Sequence, residues 1–526
     1  MKILLLLLLW MASMWSGKAQ SPTAALLPYP NHVTCRNGKP FQMEERTVEI
    51  YIGDEELTFE AAYLQQLLQE RKVTGTLTAN PKADIQLHLR PEEGRQEHYR
   101  LEADAHGIRI EGTTPRAVFY GVVTLNQILL GDGCATAQGR INPILIEDAP
   151  RFAYRALMVD PARHFLPLAD LKFFIDQMAL FKYNTLQLHL TDDQGWRMES
   201  KAFPQLASEQ YYTQEGLREL VAYAAQRHIE IVPELDIPGH TVAILSAFPE
   251  LGCTVSDTIP KTVGQTVNLM LCAGVDKVYS LYETLFKELA TVFPSPHVHL
   301  GGDESVIDRN WAQCARCRQL MKQYGYSEAR QLMSPFFDRI LKSLRLAGKS
   351  PILWCELDAI YPPANEYLFP YPADVTLVTW RSGLTPKCIE LTAQQGHPLI
   401  MAPGEYTYFD YPQLTGDLPE FNNWGMPVTT LAQAYRFDPG YGLPAPQQQH
   451  ILGVMGTLWG EAMPDINRVT YMAFPRALAL AEAGWTEMSQ RDWTSFKKRL
   501  YPNLYNLMKH GVSVRVPFEI VERKPS

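Results

Sequence analysis

A run of basic residues is missing from this sequence, and the 526-residue chain carries a formal net charge of -9. That excludes the electrostatic footprint of a nucleic-acid binder. No apolar run beyond the first residues is long enough to cross a bilayer, so no stable membrane span is expected. No Gly-x-Gly-x-x-Gly turn follows a candidate strand, which argues against a dinucleotide-binding sheet. Asn-x-Ser/Thr sequons are also lacking, and that leans towards a bacterial source. Cys314-Ala315-Arg316-Cys317 has no second Cys-x-x-Cys to complete a zinc site, so neither a metal nor a cofactor is expected. A local disulfide or two thiols is the reading for that pair, with Cys253 and Cys272 a loop staple among the eight cysteines.

What is present begins with an export signal. Met1-Lys2 precedes an unbroken apolar run, Ile3 to Trp10, then small residues up to Ala19. This reads as a cleaved secretory signal over 1–19 and predicts an exported protein, periplasmic or secreted. Apolar residues make up 46% and charged residues 20%, the balance of an ordinary globular chain of more than one domain.

Residues 20–150 read as a small α+β domain. Helical spacing runs from Glu60 to Arg71, and Ala83 to Leu89 alternates as a strand. Tyr99–Ala103 and Ile108–Gly112 form a hairpin, and Pro115 opens a helix reaching Leu130. From residue 151 to 485 the rhythm becomes strand then helix. Eight short apolar strands are expected: Ala156–Asp160, Thr185–Leu190, Ile229–Pro233, His297–Gly301, Pro351–Trp354, Val375–Trp380, Pro398–Ala402 and Ile451–Trp459. Helices lie between several of them, including Leu168–Lys182, Gln214–Arg227, Lys277–Phe293 and Ala329–Leu346, with a last one over Val469–Glu482. Near-continuous apolar strands alternating with helices mean a parallel sheet, and eight such units mean a (β/α)8 TIM barrel. Residues 486–526 read as one amphipathic helix and a tail.

Barrel enzymes carry their chemistry at the C-terminal ends of the strands. The ends here are rich in carboxylates and aromatics, from Asp160-Pro161-Ala162-Arg163-His164 after the first strand to Trp459-Gly460-Glu461 after the last. At the centre lies His297-Val298-His299-Leu300-Gly301-Gly302-Asp303-Glu304. Two glycines let the backbone bend, so that adjacent carboxylates reach one cavity at different depths and acquire different pKa values. Taken singly, His189 reads as a core histidine, Trp354 as barrel filling and Asp192-Asp193 as a solvated turn. Their joint placement after successive strands is what points to a site. Aromatic faces with a few aimed carboxylates suit a sugar.

These motifs, with His189-Leu190-Thr191-Asp192-Asp193-Gln194-Gly195-Trp196 and Glu234-Leu235-Asp236-Ile237-Pro238-Gly239-His240, resemble those of the family-20 glycoside hydrolases, the β-N-acetylhexosaminidases. The resemblance covers almost the whole mature chain. It departs at Cys355, where an acidic residue is common, and this leaves the role of Glu356 open. The resemblance implies retaining, substrate-assisted hydrolysis of terminal β-linked N-acetylhexosamine on a glycan or oligosaccharide, through an oxazolinium intermediate. Glu304 would be general acid and base, its carboxyl raised by the Asp303 anion. Asp303 would orient the acetamido N–H, and Tyr408 would donate to the acetamido oxygen. Arg163 and Glu461 would grip hydroxyls with help from Asp410. Trp354, Trp380 and Trp459 would wall the pocket, and Trp424 would contact the ring. Asp192 and His240 would hold the catalytic pair, with His299 in a similar position. Trp424 and Glu461 closing a short pocket imply exo action. Two other classes compete. One is a metal-dependent barrel hydrolase using His297 and His299 with Asp192, Asp236 and Asp303. The other is a sugar-binding protein without catalysis on the same fold.

Overall fold

The structure, a computed structural model, describes residues 23–43, 46–94, 96–131, 140–253, 269–417 and 426–520. The export signal and Trp424 lie outside the described residues. The chain forms two compact units. One holds the residues up to 151 together with 180–182 and those from 485 onward; the other holds 152–179 and 183–484.

The first unit contains a seven-stranded mixed sheet. The hairpin is found at Tyr99–Asp104 and Gly107–Gly112, and the helices at Thr58–Glu70 and Pro115–Leu130. The long helix is capped by Thr114, whose hydroxyl accepts from Ala117 N–H, with Pro115 in its first turn. Sequence reading missed His32–Cys35, Val48–Ile52, Gly75–Thr78 and Ile144–Asp148, four strands of the same sheet. The C-terminal helix Trp493–Lys509 packs here. Arg499 donates to Leu26 O at 2.8 Å and Asn503 to Ala25 O at 2.9 Å.

The second unit is a closed eight-stranded parallel barrel, sealed where Tyr154–Val159 pairs with Ile451–Leu458. All eight expected strands are found, most within a residue or two of the expected ends. Strands such as Thr185–His189 and Thr376–Thr379 are buried along their whole length, as parallel strands between a packed interior and a helical coat must be. Ala156, Met158, Val232, Ile352, Trp354, Val378, Ile400, Ala402 and Met455 fill the interior.

Two differences have local causes. The third strand runs Glu230–Ile237, four residues past Pro233, because Glu234 and Asp236 find polar partners inside the barrel. The last helix is broken into Ile466–Ala473 and Arg476–Trp485. Pro475 lies between them and has no N–H to continue the ladder.

Candidate active site

The fourth barrel strand, His297–Gly301, ends in a turn that only glycine can make. Gly301 has φ 64° and Gly302 φ 94°, both left-handed. A Cβ on Gly301 would stand 1.6 Å from Asp236 Oδ1. That carboxylate accepts from Gly302 N–H at 3.3 Å, so the bend and the neighbouring strand fix each other. Gly301→Ala is expected to cost about 2–4 kcal/mol, from left-handed strain plus displacement of a buried carboxylate, read as a lowered Tm.

After the turn the two adjacent acids part. Asp303 is buried, its side chain 9% exposed, while the Glu304 side chain is 54% exposed. His240 faces both, with Nε2 3.8 Å from Asp303 Oδ2 and 3.6 Å from Glu304 Oε2. Burial raises the Asp303 carboxyl, opposed by His240 and reinforced by Glu304. Glu304 behaves opposite to expectation. His240 holds its carboxyl below the ordinary range, and the Asp303 anion does not lift it. The reason is geometric: the neighbouring His240 imidazole outweighs the desolvation that would raise this carboxyl, with Arg381 and Arg163 adding to its effect.

Behind this pair lies a buried charge network. Arg163 Nη1 meets Asp160 Oδ2 at 2.7 Å, its Nη2 meets Asp192 Oδ2 at 2.9 Å, and its Nε lies 3.4 Å from Glu461 Oε1. Asp192 also holds His189 at 2.8 Å and stands 3.4 Å from His240 Nδ1. Burial alone would raise the Asp192 carboxyl, but Arg163 and then His240 pull it well below the ordinary range. His240 is raised in turn: desolvation opposes its charge, and Asp192 outweighs that. One layer deeper, Glu234 accepts from Gln187 at 2.8 Å and from the Trp354 indole at 3.2 Å. His189 and His299 each place Nδ1 2.9 Å from the same carboxylate. Desolvation works against this anion too, yet His299 and His189 keep it ionised.

The aromatic wall is assembled from residues at or after the ends of the last four barrel strands. Trp354 and Trp459 have centroids 5.8 Å apart, and Tyr408 lies 6.3 Å from Trp459. Trp380 and Trp459 also pack against Tyr408, Tyr411 and Met426. Trp354 is fully buried and belongs to the barrel filling as well as the wall. Asp410 is buried, and desolvation followed by Glu461 raises its carboxyl well above the ordinary range. Among the described residues, Asp303 Oδ1, Asp410 Oδ1, Glu461 Oε2 and Trp380 Nε1 are buried without a hydrogen-bond partner. Such atoms also occur elsewhere in the chain, but these four belong to residues of the aromatic wall and the charge network, where a polar ligand would satisfy them. In the His297–His299 pair, His299 Nδ1 lies against Glu234 while its Nε2 is buried without a hydrogen-bond partner among the described residues, and His297 stands 3.6 Å from Glu230.

Sequence reasoning assigned no role to Glu356 or Arg381. Glu356 accepts Glu304 N–H at 3.2 Å and binds Arg381 through both oxygens, at 3.1 and 3.2 Å. The guanidinium in turn lies 3.9 Å over the Trp380 ring. The signal was the placement of Glu356 and Arg381 two and one residues past strand ends. Burial lifts the Glu356 carboxyl to about 7, against Arg381, from an ordinary 4.5. Folding therefore favours its neutral form. That contribution is fully present below about pH 4.5 and is lost as pH rises through 7. Relative to the wild type, Glu356→Gln is expected to gain Tm steadily across this window and to hold a constant offset above it, measured by calorimetry.

A parallel barrel whose strand ends gather two unlike carboxylates, an aromatic wall and unsatisfied polar atoms is the architecture of a barrel glycoside hydrolase. Residues 152–488 match Glycosyl hydrolase family 20, catalytic domain, and residues 23–149 match Glycosyl hydrolase family 20, domain 2. The chain belongs to glycosyl hydrolase family 20. It is 38% identical over 429 residues to a beta-hexosaminidase of Akkermansia muciniphila, covering 78% of this chain and 84% of that one. It is 33% identical over 493 residues to a beta-hexosaminidase of Vibrio furnissii, covering 88% and 76%. A mutant Streptomyces plicatus beta-hexosaminidase in complex with product (GlcNAc) superposes with TM-score 0.82 at 29% identity, covering 95% of this chain and 98% of that one.

Proposed function

We propose that this chain is an exported, exo-acting β-N-acetylhexosaminidase, periplasmic or secreted, that releases terminal β-linked GlcNAc or GalNAc with retention of configuration. The observation that carries the reading is the split between the adjoining acids. Asp303 is buried with an unsatisfied oxygen, and Glu304 stands at the solvent-facing side beside His240. A buried carboxylate with a free oxygen suits an acetamido N–H and the positive charge that grows on it as the acetamido oxygen attacks the anomeric carbon. Tyr408 would donate to that acetamido oxygen. Glu304 would protonate the departing glycosidic oxygen and then take a proton from water. The glycan that displaces water from Glu304 and covers it with apolar surface would raise its carboxyl towards the protonated form that this step needs. Arg163, Asp410 and Glu461 would hold sugar hydroxyls, with Asp192 and His240 fixing the acids from beneath. Trp354, Trp380, Trp424 and Trp459 would enclose the ring. The apolar run Ile3–Trp10 followed by small residues supports export.

The test is a pair of aryl β-glycosides, one with the 2-acetamido group and one with a 2-hydroxyl. Only the first should turn over at a useful rate, and NMR should show the β-anomer as first product. Equal hydrolysis of both, or an α-anomer appearing first, would sink the proposal.

A further inference from the structure

Four cysteines away from the sugar-facing wall converge on one point. Cys253 and Cys272 lie in the segment after the third barrel strand, on either side of residues 254–268. Cys314 and Cys317 lie in the segment after the fourth strand, at the start of the helix Ala315–Tyr324. All four are buried, and all four Sγ atoms lie within 4.8 Å of one another. Cys272 Sγ stands 3.5 Å from Cys317 Sγ and 3.7 Å from Cys314 Sγ, and Cys253 Sγ stands 3.8 Å from Cys317 Sγ.

These separations discriminate between the chemistries open to four cysteines. A disulfide needs about 2.05 Å, and none of the four is in one. Four thiolates about 2.3 Å from a tetrahedral zinc ion stand at corners about 3.8 Å apart, since the edge is about 1.63 times the bond. Three of the six edges, at 3.5, 3.7 and 3.8 Å, are of that length, and all six lie within 4.8 Å. We propose that Cys253, Cys272, Cys314 and Cys317 hold a structural Zn²⁺. A shell of four thiolates leaves no open position, so the ion would do no chemistry on substrate. Binding would release the protons of the coordinating thiols to solvent.

The expectation of no zinc site rested on the missing second Cys-x-x-Cys. The fold supplies that second pair differently. Gly252 and Leu271 form an antiparallel bridge, and Cys272 N–H donates to Leu251 O at 2.8 Å. That brings Cys253 and Cys272 side by side across the intervening residues. The two segments already meet around the sulfurs. Trp311 Nε1 donates to Leu271 O at 2.8 Å and Arg316 Nη2 to Gly252 O at 2.6 Å. Gly274 comes so close to Arg316 that a Cβ would stand 3.0 Å from its backbone. One segment carries His240 and the other begins at Glu304, so the ion would clamp together the two loops whose side chains face each other at 3.6 Å.

The test uses the full chain purified without chelator. Elemental analysis is expected to give one zinc per chain. Intact mass under denaturing, non-reducing conditions is expected to show all four cysteines as thiols. Stripping with a strong chelator should lower Tm by several degrees, with recovery on adding Zn²⁺ but not Mg²⁺. Co²⁺ in place of zinc should give the intense visible bands and thiolate charge-transfer absorption of a tetrahedral cobalt–thiolate site. Cys314→Ser with Cys317→Ser should abolish both the metal and the cobalt spectrum; should that variant not fold, the wild-type measurements decide alone. Absence of zinc together with loss of four hydrogens would mean two disulfides and would overturn the assignment. So would a cobalt spectrum without thiolate bands.

Discussion

Glu304→Gln is expected to lower kcat/KM on an aryl N-acetyl-β-glucosaminide by about 10²–10⁴-fold, the range for removal of a positioned acid. Asp303→Asn is expected to cost a comparable factor, for a different reason, and the two can be told apart. An amide at 304 cannot protonate the leaving oxygen, so a leaving group that needs no proton, such as dinitrophenolate, should restore much of the lost rate. An amide at 303 cannot stabilise positive charge on the acetamido nitrogen, so the same leaving group should restore little. Neither change should unfold the chain. The Glu304 side chain is about half exposed, and Asp303 is a buried acid whose carboxyl is already raised by desolvation. Full activity in either variant, or the same leaving-group response in both, would contradict the division of labour between them.

Arg163→Met is expected to destabilise the protein by about 3–5 kcal/mol, because it strips the cation from buried Asp160 and Asp192 and from Glu461 beside them. Loss of the guanidinium also removes one side of the proposed hydroxyl grip, so KM should rise. The pH dependence carries a sign. In the wild type Asp192 lies well below its ordinary pKa of 3.8. Its stabilising effect is therefore present above that value and is lost as pH falls through the lower folded pKa. The stability gap between wild type and variant should be widest near neutrality and narrow as the pH drops below about 4. A gap independent of pH would place the cost in packing rather than charge.

The barrel was legible because each strand is buried on both faces and reads as an apolar run, with turn residues between. The site was legible where chemistry and strand ends coincide, as at Arg163, Asp192, His240 and Asp303-Glu304. Other features were hidden for physical reasons. The strands of the first unit at His32–Cys35 and Gly75–Thr78 have exposed or half-buried side chains, so no apolar alternation announces them. The continuation of the third strand through Glu234 and Asp236 was hidden, because its pairing shifts register between residues 234 and 237 and a shift of that kind leaves no mark in composition. The pKa of Glu304 depends on which way its side chain turns relative to His240, which spacing along the chain cannot convey. The four sulfurs converge through an antiparallel bridge between residues 252 and 271 that no spacing rule encodes.

The helix Trp493–Lys509 has a consequence for biosynthesis. It docks on backbone oxygens of Ala25 and Leu26 within the unit that the ribosome makes first. That unit therefore begins to emerge before the barrel yet cannot be completed until more than four hundred later residues have been translated. Its sheet, whose strands all precede residue 149, can pair early, but the helix Pro115–Leu130 must wait for Trp493–Lys509 while the barrel grows. A premature stop just before Trp493 would injure the early domain and leave the late one nearly intact.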